Sequence, residues 1–556
     1  MSKIKPQDTA WLPPAFPLNG RLPDHPYPVA MNERRQNSLE QRYYDECCLA
    51  AGKRVWRPCC KTLHVSLFFD GTGNNLHNDV YVDEHPHPSN IARLFRAAIG
   101  SGYAGGAALE NALLDVPPAG SETYFKFYMP GVGTPFPEIG ELDYSNLGLA
   151  TASGGENRIN WGLVKLLDVL NFVFRRVWLN NSESWDAVQS MSTPTAWAAL
   201  GLGGAHNRYE TFYRHFNRLQ NNIWQAMNPT GRGKAKLMGM KLYVYGFSRG
   251  AAQARTFVNW LTELFPKPDS ADGVPAQVLQ GSNPACRLPV SVEFLGLLDT
   301  VASVGVANIA PFAAGHMAWA DGTQALPDDA RFGGLVKQCV HLVASHEQRL
   351  CFPLDSLRRG NGQYPRNSVE VIYPGMHSDI GGGYPPGDQG KGIDVDDGSL
   401  LSQIALHELY ATAFAAGAPL KVQEEVLPQH LALDSWRILS TDRLKEFTLA
   451  PDVIHRFNAW REATLGLSPS AQPAGKESDN GHYQPGRAGL ALEALIANQM
   501  AWLTAWRIDR YARGSALNCA FYRAATDSHA NAGSRKAAEA ARDERQKSAE
   551  RARLDL

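Results

Sequence analysis

The chain has 556 residues, of which 44% are hydrophobic and 20% are charged, a balance typical of a folded globular protein and not of a disordered or fibrous one. Its 54 lysines and arginines stand against 55 aspartates and glutamates, so the formal net charge is −1. A neutral chain has no overall positive field that attracts polyanions, and this excludes nucleic acid as an expected partner.

The first part of the chain predicts an arm on a larger body. Residues 1–60 begin with a proline-rich stretch and continue with a polar stretch that predicts a helix near 37–51. Prolines and charges interrupt the first twenty residues, so we expect no secretory signal peptide. No run of about 18 apolar residues occurs in the chain, so we expect no transmembrane helix.

Five short apolar runs predict buried strands, and each ends in a glycine-rich or polar turn. They are LHVSLFF (63–69), YFKFY (124–128), MKLYVYG (240–246), SVEFLGLLD (291–299) and VEVIYPG (369–375). Amphipathic patterns predict helices over 90–99, 211–227, 251–265 and 400–416. Alternating strands and helices predict an α/β fold with a mostly parallel sheet that is covered on both faces and whose ligand site lies at the carboxyl ends of the strands.

These elements divide the chain into three predicted regions. The arm over 1–60 precedes a catalytic domain over 61–390, in which the less regular stretch of about 135–235 predicts a helical insertion. Beyond 390 the strand patterns fade, so we expect a mostly helical C-terminal region over 391–556 that ends in a charged tail.

The most apolar part of the predicted insertion leaves two interpretations open. Trp161, Leu167, Phe174 and Trp178 recur at spacings that place them on one helix face, which would suit contact with acyl chains or a membrane. The same pattern is typical of a helix buried in the core, and this is the favoured interpretation.

The segment Gly246-Phe247-Ser248-Arg249-Gly250 carries the strongest chemical signal. It follows a predicted strand and precedes a predicted helix, which is the context of a nucleophile elbow. Gly246 and Gly250 permit the tight turn that exposes Ser248, and the helix start supplies backbone N–H groups for an oxyanion, that of Arg249 among them. A purely structural Gly-Ser turn is the alternative.

A serine hydroxyl is a weak nucleophile, so this interpretation requires a histidine base and a carboxylate that orients it. In α/β-hydrolases these residues follow in the order serine, acid, histidine. Asp299 ends the fourth predicted strand and His377 follows the fifth, so we predict them as acid and base. The competing residues are the carboxylates Asp355 and Asp379 and the histidines His341 and His346. The segment around the two competing histidines predicts a packed helix.

The turn after the first strand supplies candidates for the second oxyanion donor, Gly71 and Thr72. Asp70 in this turn and Asp379 near His377 could together bind a hard cation, but hydrogen-bonded loop carboxylates are the favoured interpretation. We therefore expect neither a metal ion nor another cofactor.

Six motifs in one order resemble a known family. They are HVSLFFDGTGNN, SNIARLF, FYMPGVGT, VYGFSRGAAQAR, FLGLLDTVAS and PGMHSDIGGGY. Together they resemble the DUF2235 α/β-hydrolase family, and within it the Tle1-type phospholipase effectors of type VI secretion systems. The resemblance spans about 63–384 and places the family's nucleophile, acid and base on Ser248, Asp299 and His377.

The resemblance implies an antibacterial phospholipase A that cuts an acyl ester of membrane glycerophospholipids. It also implies synthesis in the cytoplasm without a signal peptide, delivery into the periplasm of a target bacterium on a VgrG-type spike protein, and a cognate immunity protein in the producer. Two alternatives stay open, a soluble carboxylesterase and a catalytically inactive interaction protein with a hydrolase fold. The intact set of serine, aspartate and histidine argues against the inactive protein.

Overall fold

The computed structural model describes most of the chain. The described residues are 9–37, 50, 60–106, 123–152, 154–193, 204–230, 234–267, 275–303, 318–349, 351–388, 391–392, 396–468, 486, 488–513 and six isolated positions between 540 and 551. The helix predicted near 37–51 and the charged tail lie almost wholly outside these residues.

A mostly parallel sheet of eight strands forms the centre of the molecule. The strands are β1 (Cys60–Phe69), β2 (Ser101–Ala104), β3 (Tyr124–Met129), β4 (Lys236–Phe247), β5 (Val278–Gln280), β6 (Arg287–Leu298), β7 (Cys339–Ala344) and β8 (Ser368–Tyr373). Seven strands pair in parallel in the order β2-β3-β1-β4-β6-β7-β8, and β5 pairs antiparallel with β6. The predicted fold class is confirmed.

Helices surround this sheet and dominate the chain after it. They are α1 (Pro26–Gln36), α2 (Asn90–Ala97), α3 (Asn146–Thr151), α4 (Gly155–Arg175), α5 (Asn181–Met191), α6 (Ala205–Phe216), α7 (Gln220–Met227), α8 (Arg249–Glu263), α9 (Asp329–Phe332), α10 (His377–Gly381), α11 (Ser402–Ala415), α12 (Thr441–Lys445), α13 (Pro451–Leu465) and α14 (Leu492–Arg513). Short 3₁₀ turns occur at Pro137–Ile139, Ala318–Ala320, Asp397–Ser399, Glu424–Val426, Gln429–Leu431 and Ser435–Arg437, and Asn78–Val82 forms a π-helical turn. The mostly helical character predicted for the C-terminal region is confirmed for its described residues.

The two faces of the sheet pack against separate cores, because successive side chains of a strand point to opposite faces. Leu67 and Phe69 of β1 belong to the core that contains buried side chains of α4 and α8. Phe68, between them, belongs to the core that contains side chains of α2 and α11. The parallel sheet is therefore buried on both faces, and its site must open at a strand end.

Of the four residues considered for membrane or acyl-chain contact, Trp161, Leu167, Phe174 and Trp178, the structure buries the first two in the core. Trp161 is 1% exposed and Leu167 is 2% exposed, and Phe174 and Trp178 are half-buried against the same core. Trp178 packs edge-to-face on Phe125 near the amino end of β3, away from the strand ends that carry the predicted site. The alternative of a buried helix describes this segment, because an apolar stripe that packs on a sheet has the same spacing as one that faces lipid.

Residues 339–344 form a strand where the sequence predicted a helix. A short apolar run that is buried on both faces has no alternation, so periodicity alone does not distinguish a strand from a helical turn. The helix predicted over 211–227 is divided into α6 and α7.

No helix in the described ranges combines the length and hydropathy that a membrane span requires. The division into arm, catalytic domain and C-terminal region stays a prediction. Trp11 in the arm forms isolated β-bridges with both Val371 of β8 and Ala488 before α14.

Candidate active site

Ser248 occupies a strained turn between β4 and α8. Its backbone angles are φ 57° and ψ −125°, a conformation that a residue with a side chain rarely adopts. A Cβ atom on Gly246 would lie 2.5 Å from the Gly250 carbonyl oxygen, and one on Gly250 would lie 2.3 Å from the carbonyl oxygens of Phe69 and Asp70. Both glycines are therefore required, and the geometry is that of a nucleophile elbow.

Asp299 follows β6 at the adjacent strand end and is 2% exposed. Its backbone also has a positive φ of 39°. Oδ1 accepts a hydrogen bond from the Ala344 N–H at 2.9 Å, and Oδ2 lies 2.6 Å from Nδ1 of His377. The carboxylate is thus held by the backbone on one side and directed at the imidazole on the other.

His377 begins α10, and its imidazole ring is enclosed by aromatic side chains. The rings of Phe247 and Phe352 each lie 4.7 Å from its centroid. The His377 N–H donates to Glu347 Oε2 at 3.0 Å, which fixes the backbone as well. Its Nε2 atom is buried and makes no hydrogen bond to the residues that the structure describes.

Sequence reasoning missed Phe352 and Glu347. Phe352 lies in a loop and Glu347 just past β7, and neither carries a motif or a periodic pattern that would have identified it. Although burial raises the pKa of Glu347, the hydrogen bonds from Arg349 and from the His377 N–H lower it to about 2. Glu347 is therefore a carboxylate that anchors the start of α10.

Ser248 and His377 line the same cavity of about 420 Å³ at the carboxyl ends of the strands. Phe247, Phe352 and Tyr384 contribute aromatic surface to it. Within the described contacts no hydrogen bond joins the serine hydroxyl to the imidazole. Such bonds are often long in ligand-free hydrolases and shorten when substrate binds.

The structure contradicts Gly71 as an oxyanion donor. The Gly71 N–H donates to Oδ1 of Asp70 at 2.7 Å, so it is already engaged. Thr72 lines the cavity, and no described hydrogen bond involves its N–H. The N–H of Arg249 is the first of α8, directly after the Ser248 turn. Thr72 and Arg249 stay the predicted donors.

The side chain of Arg249 connects the segments around this position. Its guanidinium donates to the carbonyl of Ser303 at 3.1 Å, to Oγ1 of Thr72 at 3.2 Å and to the carbonyl of Leu149 at 2.8 Å. These bonds hold the Thr72 turn next to the nucleophile elbow.

Asp70 and Asp379, considered together as cation ligands, have separate protein partners. Asp70 accepts hydrogen bonds from Ser89 at 2.7 Å and from the Tyr128 hydroxyl at 2.6 Å. Asp379 forms an ion pair with Lys391 at 2.9 Å. The described part of the chain holds no cluster of three or more histidine, cysteine, aspartate or glutamate side chains that could bind a metal ion. Both residues are hydrogen-bonded carboxylates, as in the favoured interpretation, although Asp379 lies in α10 and not in a loop.

The burial of Asp70 leads to a prediction about how the stability of the protein changes with pH. Burial raises its pKa from 3.8 to about 6 although three hydrogen bonds oppose the shift. A raised carboxyl pKa contributes stability that is present below pH 3.8 and lost as the pH rises towards 6, a change on the order of 3 kcal/mol. We expect Asp70→Asn to remove this loss, as measured by denaturant unfolding between pH 3.5 and pH 7 at about half-unit steps. Parallel stability curves for the two proteins would show that Asp70 titrates in its ordinary range.

The competing residues lie elsewhere. His346 accepts a hydrogen bond from the Gly375 N–H at 2.9 Å and contacts Gln499. Asp355 forms an ion pair with Arg255 at 2.9 Å. His341 is fully buried next to Glu370. None of the three belongs to the lining of the cavity that contains Ser248.

Comparisons with known proteins identify a family of similar sequences. Residues 267–411 match the family described as "T6SS, Phospholipase effector Tle1-like, catalytic domain", and residues 453–555 match its "C-terminal domain". No curated protein matches the sequence significantly.

Two solved structures are similar to the chain. One is titled "Crystal structure of an uncharacterized protein from Pseudomonas aeruginosa", with 39% identity, a TM-score of 0.70, and coverage of 92% of this chain and 61% of that one. The chain therefore spans about three fifths of that protein's length. The other is "Structure of the Tle1 effector bound to the VgrG spike from the Type 6 secretion system", with 16% identity, a TM-score of 0.32, and coverage of 76% and 83%.

Proposed function

We propose that this chain, which belongs to the family of Tle1-like phospholipase effectors of type VI secretion systems, hydrolyses an acyl ester of membrane glycerophospholipids with Ser248, Asp299 and His377. The observation that carries the proposal is the 2.6 Å contact between Asp299 and His377, next to a serine in a nucleophile elbow. Together these residues supply the nucleophile, base and orienting acid of acyl transfer.

In the proposed reaction His377 acts first as a base. Its Nε2 takes the proton of the Ser248 hydroxyl while Oγ attacks the ester carbonyl carbon. The negative charge that develops on the carbonyl oxygen is stabilised by the N–H groups of Arg249 and Thr72. The bond to the glycerol oxygen then breaks, and this oxygen takes the proton from His377 and leaves as a lysophospholipid.

The second half of the reaction repeats these steps with water. His377 takes a proton from a water molecule, whose oxygen attacks the acyl-enzyme carbonyl. Ser248 leaves and recovers its proton from His377, and a fatty acid is released. Asp299 accepts the hydrogen bond from Nδ1–H throughout, which keeps the lone pair of the neutral imidazole on Nε2.

The cavity has the size and composition for such a substrate. Its volume of about 420 Å³ lies within the range of about 300–1,000 Å³ that is usual for small-molecule sites. Aromatic side chains provide surface for an acyl chain. Arg249 and Arg349 also line the cavity, and Arg349 forms an ion pair with Glu347 at 2.7 Å. An aromatic wall suits the acyl chain of a lipid ester.

Delivery and partners follow from the family alone. We propose that a type VI secretion system carries the enzyme to the periplasm of a target bacterium, with a VgrG-type protein as the spike and an immunity protein in the producing cell. These partners are expected to bind the folded chain, and reconstitution with the spike and immunity proteins of the same strain tests this.

Hydrolysis of lipid vesicles tests the proposed activity. We expect the wild-type protein to release fatty acid and lysophospholipid from phosphatidylethanolamine vesicles that carry a different label at each acyl position, and the labels identify the ester that is cut. A short water-soluble ester is measured in parallel. Turnover of the soluble ester with no release from vesicles would instead indicate a carboxylesterase, and no turnover of either would contradict an enzyme function.

A further inference from the structure

A second buried histidine–carboxylate pair lies directly behind Asp299. His341 of β7 and Glu370 of β8 are neighbours across the sheet, and their Nδ1 and Oε1 atoms are 2.8 Å apart. Both side chains are 0% exposed. The other ring nitrogen of His341, Nε2, lies 3.0 Å from the backbone nitrogen of Thr300, which follows Asp299 in the chain.

The contact with Thr300 determines the tautomer of His341. A backbone N–H can only donate, so Nε2 must accept and carries no proton. The ring proton is therefore on Nδ1 and points at Glu370, and His341 is neutral in this arrangement. A neutral imidazole that donates on one side and accepts on the other connects Glu370 to the backbone that follows Asp299.

Glu370 is itself fixed by several donors. Its carboxylate accepts hydrogen bonds from the Ser356 hydroxyl at 2.7 Å, the Leu357 N–H at 2.9 Å and the Tyr364 hydroxyl at 2.7 Å. Burial alone would raise the pKa of Glu370, but the hydrogen bonds from His341, Leu357 and Ser356 hold it below its ordinary value. The carboxylate is thus a rigid acceptor that orients the His341 ring.

The segment that receives this support is strained. Asp299 has a positive φ of 39°, and such conformations persist only where surrounding contacts over-determine them. The Asp299 N–H donates to the Leu342 carbonyl, and the Thr300 N–H donates to Nε2 of His341. The Thr300 carbonyl accepts from the Asp355 N–H at 2.8 Å. Two of these three partners are backbone groups, and the His341 imidazole is the third and the only side chain among them.

We infer that His341 and Glu370 are positioning residues that hold the Asp299 turn in the geometry needed to contact His377. This inference rests on the proposed function, because it assigns the pair to the acid of that triad. Neither residue lines the cavity, so both act through Asp299 and not on the substrate.

Replacement of His341 tests the inference. His341→Leu removes the acceptor for the Thr300 N–H and is expected to lower kcat for a soluble ester by about 10- to 100-fold, with KM changed less than about 2-fold, because the catalytic groups move while the binding surface is intact. His341→Gln is expected to recover most of this loss, since its amide oxygen can accept from Thr300 while its amide nitrogen donates to Glu370.

His407 provides a matched control. Like His341 it is a buried imidazole that accepts from a backbone N–H, here that of Arg21 to Nδ1 at 3.0 Å, but its Nε2 faces a backbone carbonyl, that of Phe447, at 2.8 Å. His407→Leu is expected to lower the melting temperature as His341→Leu does, but to leave kcat within about 2-fold of wild type.

A spectroscopic signature separates positioning from stability. Imidazole protons that are bonded to carboxylates resonate far downfield in proton NMR spectra, and Asp299→Asn identifies the resonance of His377 by its loss. We expect folded His341→Leu to shift or broaden this resonance. If His341→Leu does not fold, Glu370→Gln replaces it, with a several-fold lower kcat, an unchanged KM and a shifted His377 resonance expected.

The outcomes separate this inference from the proposed function. Folded His341→Leu or Glu370→Gln with wild-type kcat and an unchanged His377 resonance would overturn the inference while the triad stands. A failure of the wild-type protein to hydrolyse any ester would overturn the proposed function instead.

Discussion

Replacement of Ser248 by alanine is expected to lower kcat for ester hydrolysis by at least about 10⁴-fold, because the variant lacks the hydroxyl that forms the acyl-enzyme in the proposed reaction. The fold should persist, since the turn needs glycine at 246 and 250 and not the Ser248 hydroxyl. Initial rates with a soluble ester and with lipid vesicles measure the loss, and circular dichroism checks the fold.

Ser345→Ala is the control for this variant. Ser345 is a buried serine just past β7 whose hydroxyl donates to the Tyr373 carbonyl at 2.8 Å, and it does not line the cavity. We expect Ser345→Ala to keep kcat within about 3-fold of wild type, with a small loss of stability from the missing hydrogen bond. Substantial activity in folded Ser248→Ala would show that another residue is the nucleophile.

Replacement of Asp299 by asparagine is expected to lower kcat by about 10⁴-fold with little change in KM. An asparagine amide can donate to Nδ1 of His377, and this favours the imidazole tautomer that has its proton on Nε2. In that tautomer Nε2 cannot accept the serine proton. The pH is held constant in this comparison, and kcat and KM are measured separately with a soluble ester.

The aspartate Asp355 is the matched control for Asp299→Asn. It was a competing acid by sequence, and the structure pairs it with Arg255 outside the cavity. Asp355→Asn should cost stability, because Arg255 is 1% exposed and loses its charged partner, but kcat should stay within a few-fold of wild type. Equal losses of kcat in the two variants would show that Asp299 is not the acid of the triad.

Those parts of the fold and site that depend on local patterns could be predicted. Continuous apolar runs that end in glycine turns identified β1, β3, β4, β6 and β8, because strands that are buried on both faces contain few polar residues. The elbow was predictable because two glycines, a serine, a strand and a helix occur at fixed spacing around Ser248. Asp299 and His377 were predicted from their order in the chain and their positions at strand ends. In the structure Oδ2 of Asp299 lies 2.6 Å from Nδ1 of His377.

What could not be predicted depends on side-chain direction and on contacts between distant segments. The engagement of the Gly71 N–H by Asp70 is a matter of side-chain direction, which spacing does not specify. The Phe352 ring reaches His377 from a loop that has no periodic pattern. His341 could be identified only as a competing base, because its pairing with Glu370 requires the register of β7 and β8.

A covalent probe tests whether Ser248 is an activated nucleophile. The folded protein is treated with a fluorophosphonate, which reacts with activated serines, and the modified peptide is identified by mass spectrometry. We expect one adduct, on Ser248, that forms much more slowly in His377→Ala and Asp299→Asn. An adduct on a different residue, or no adduct on an ester-hydrolysing protein, would contradict this expectation.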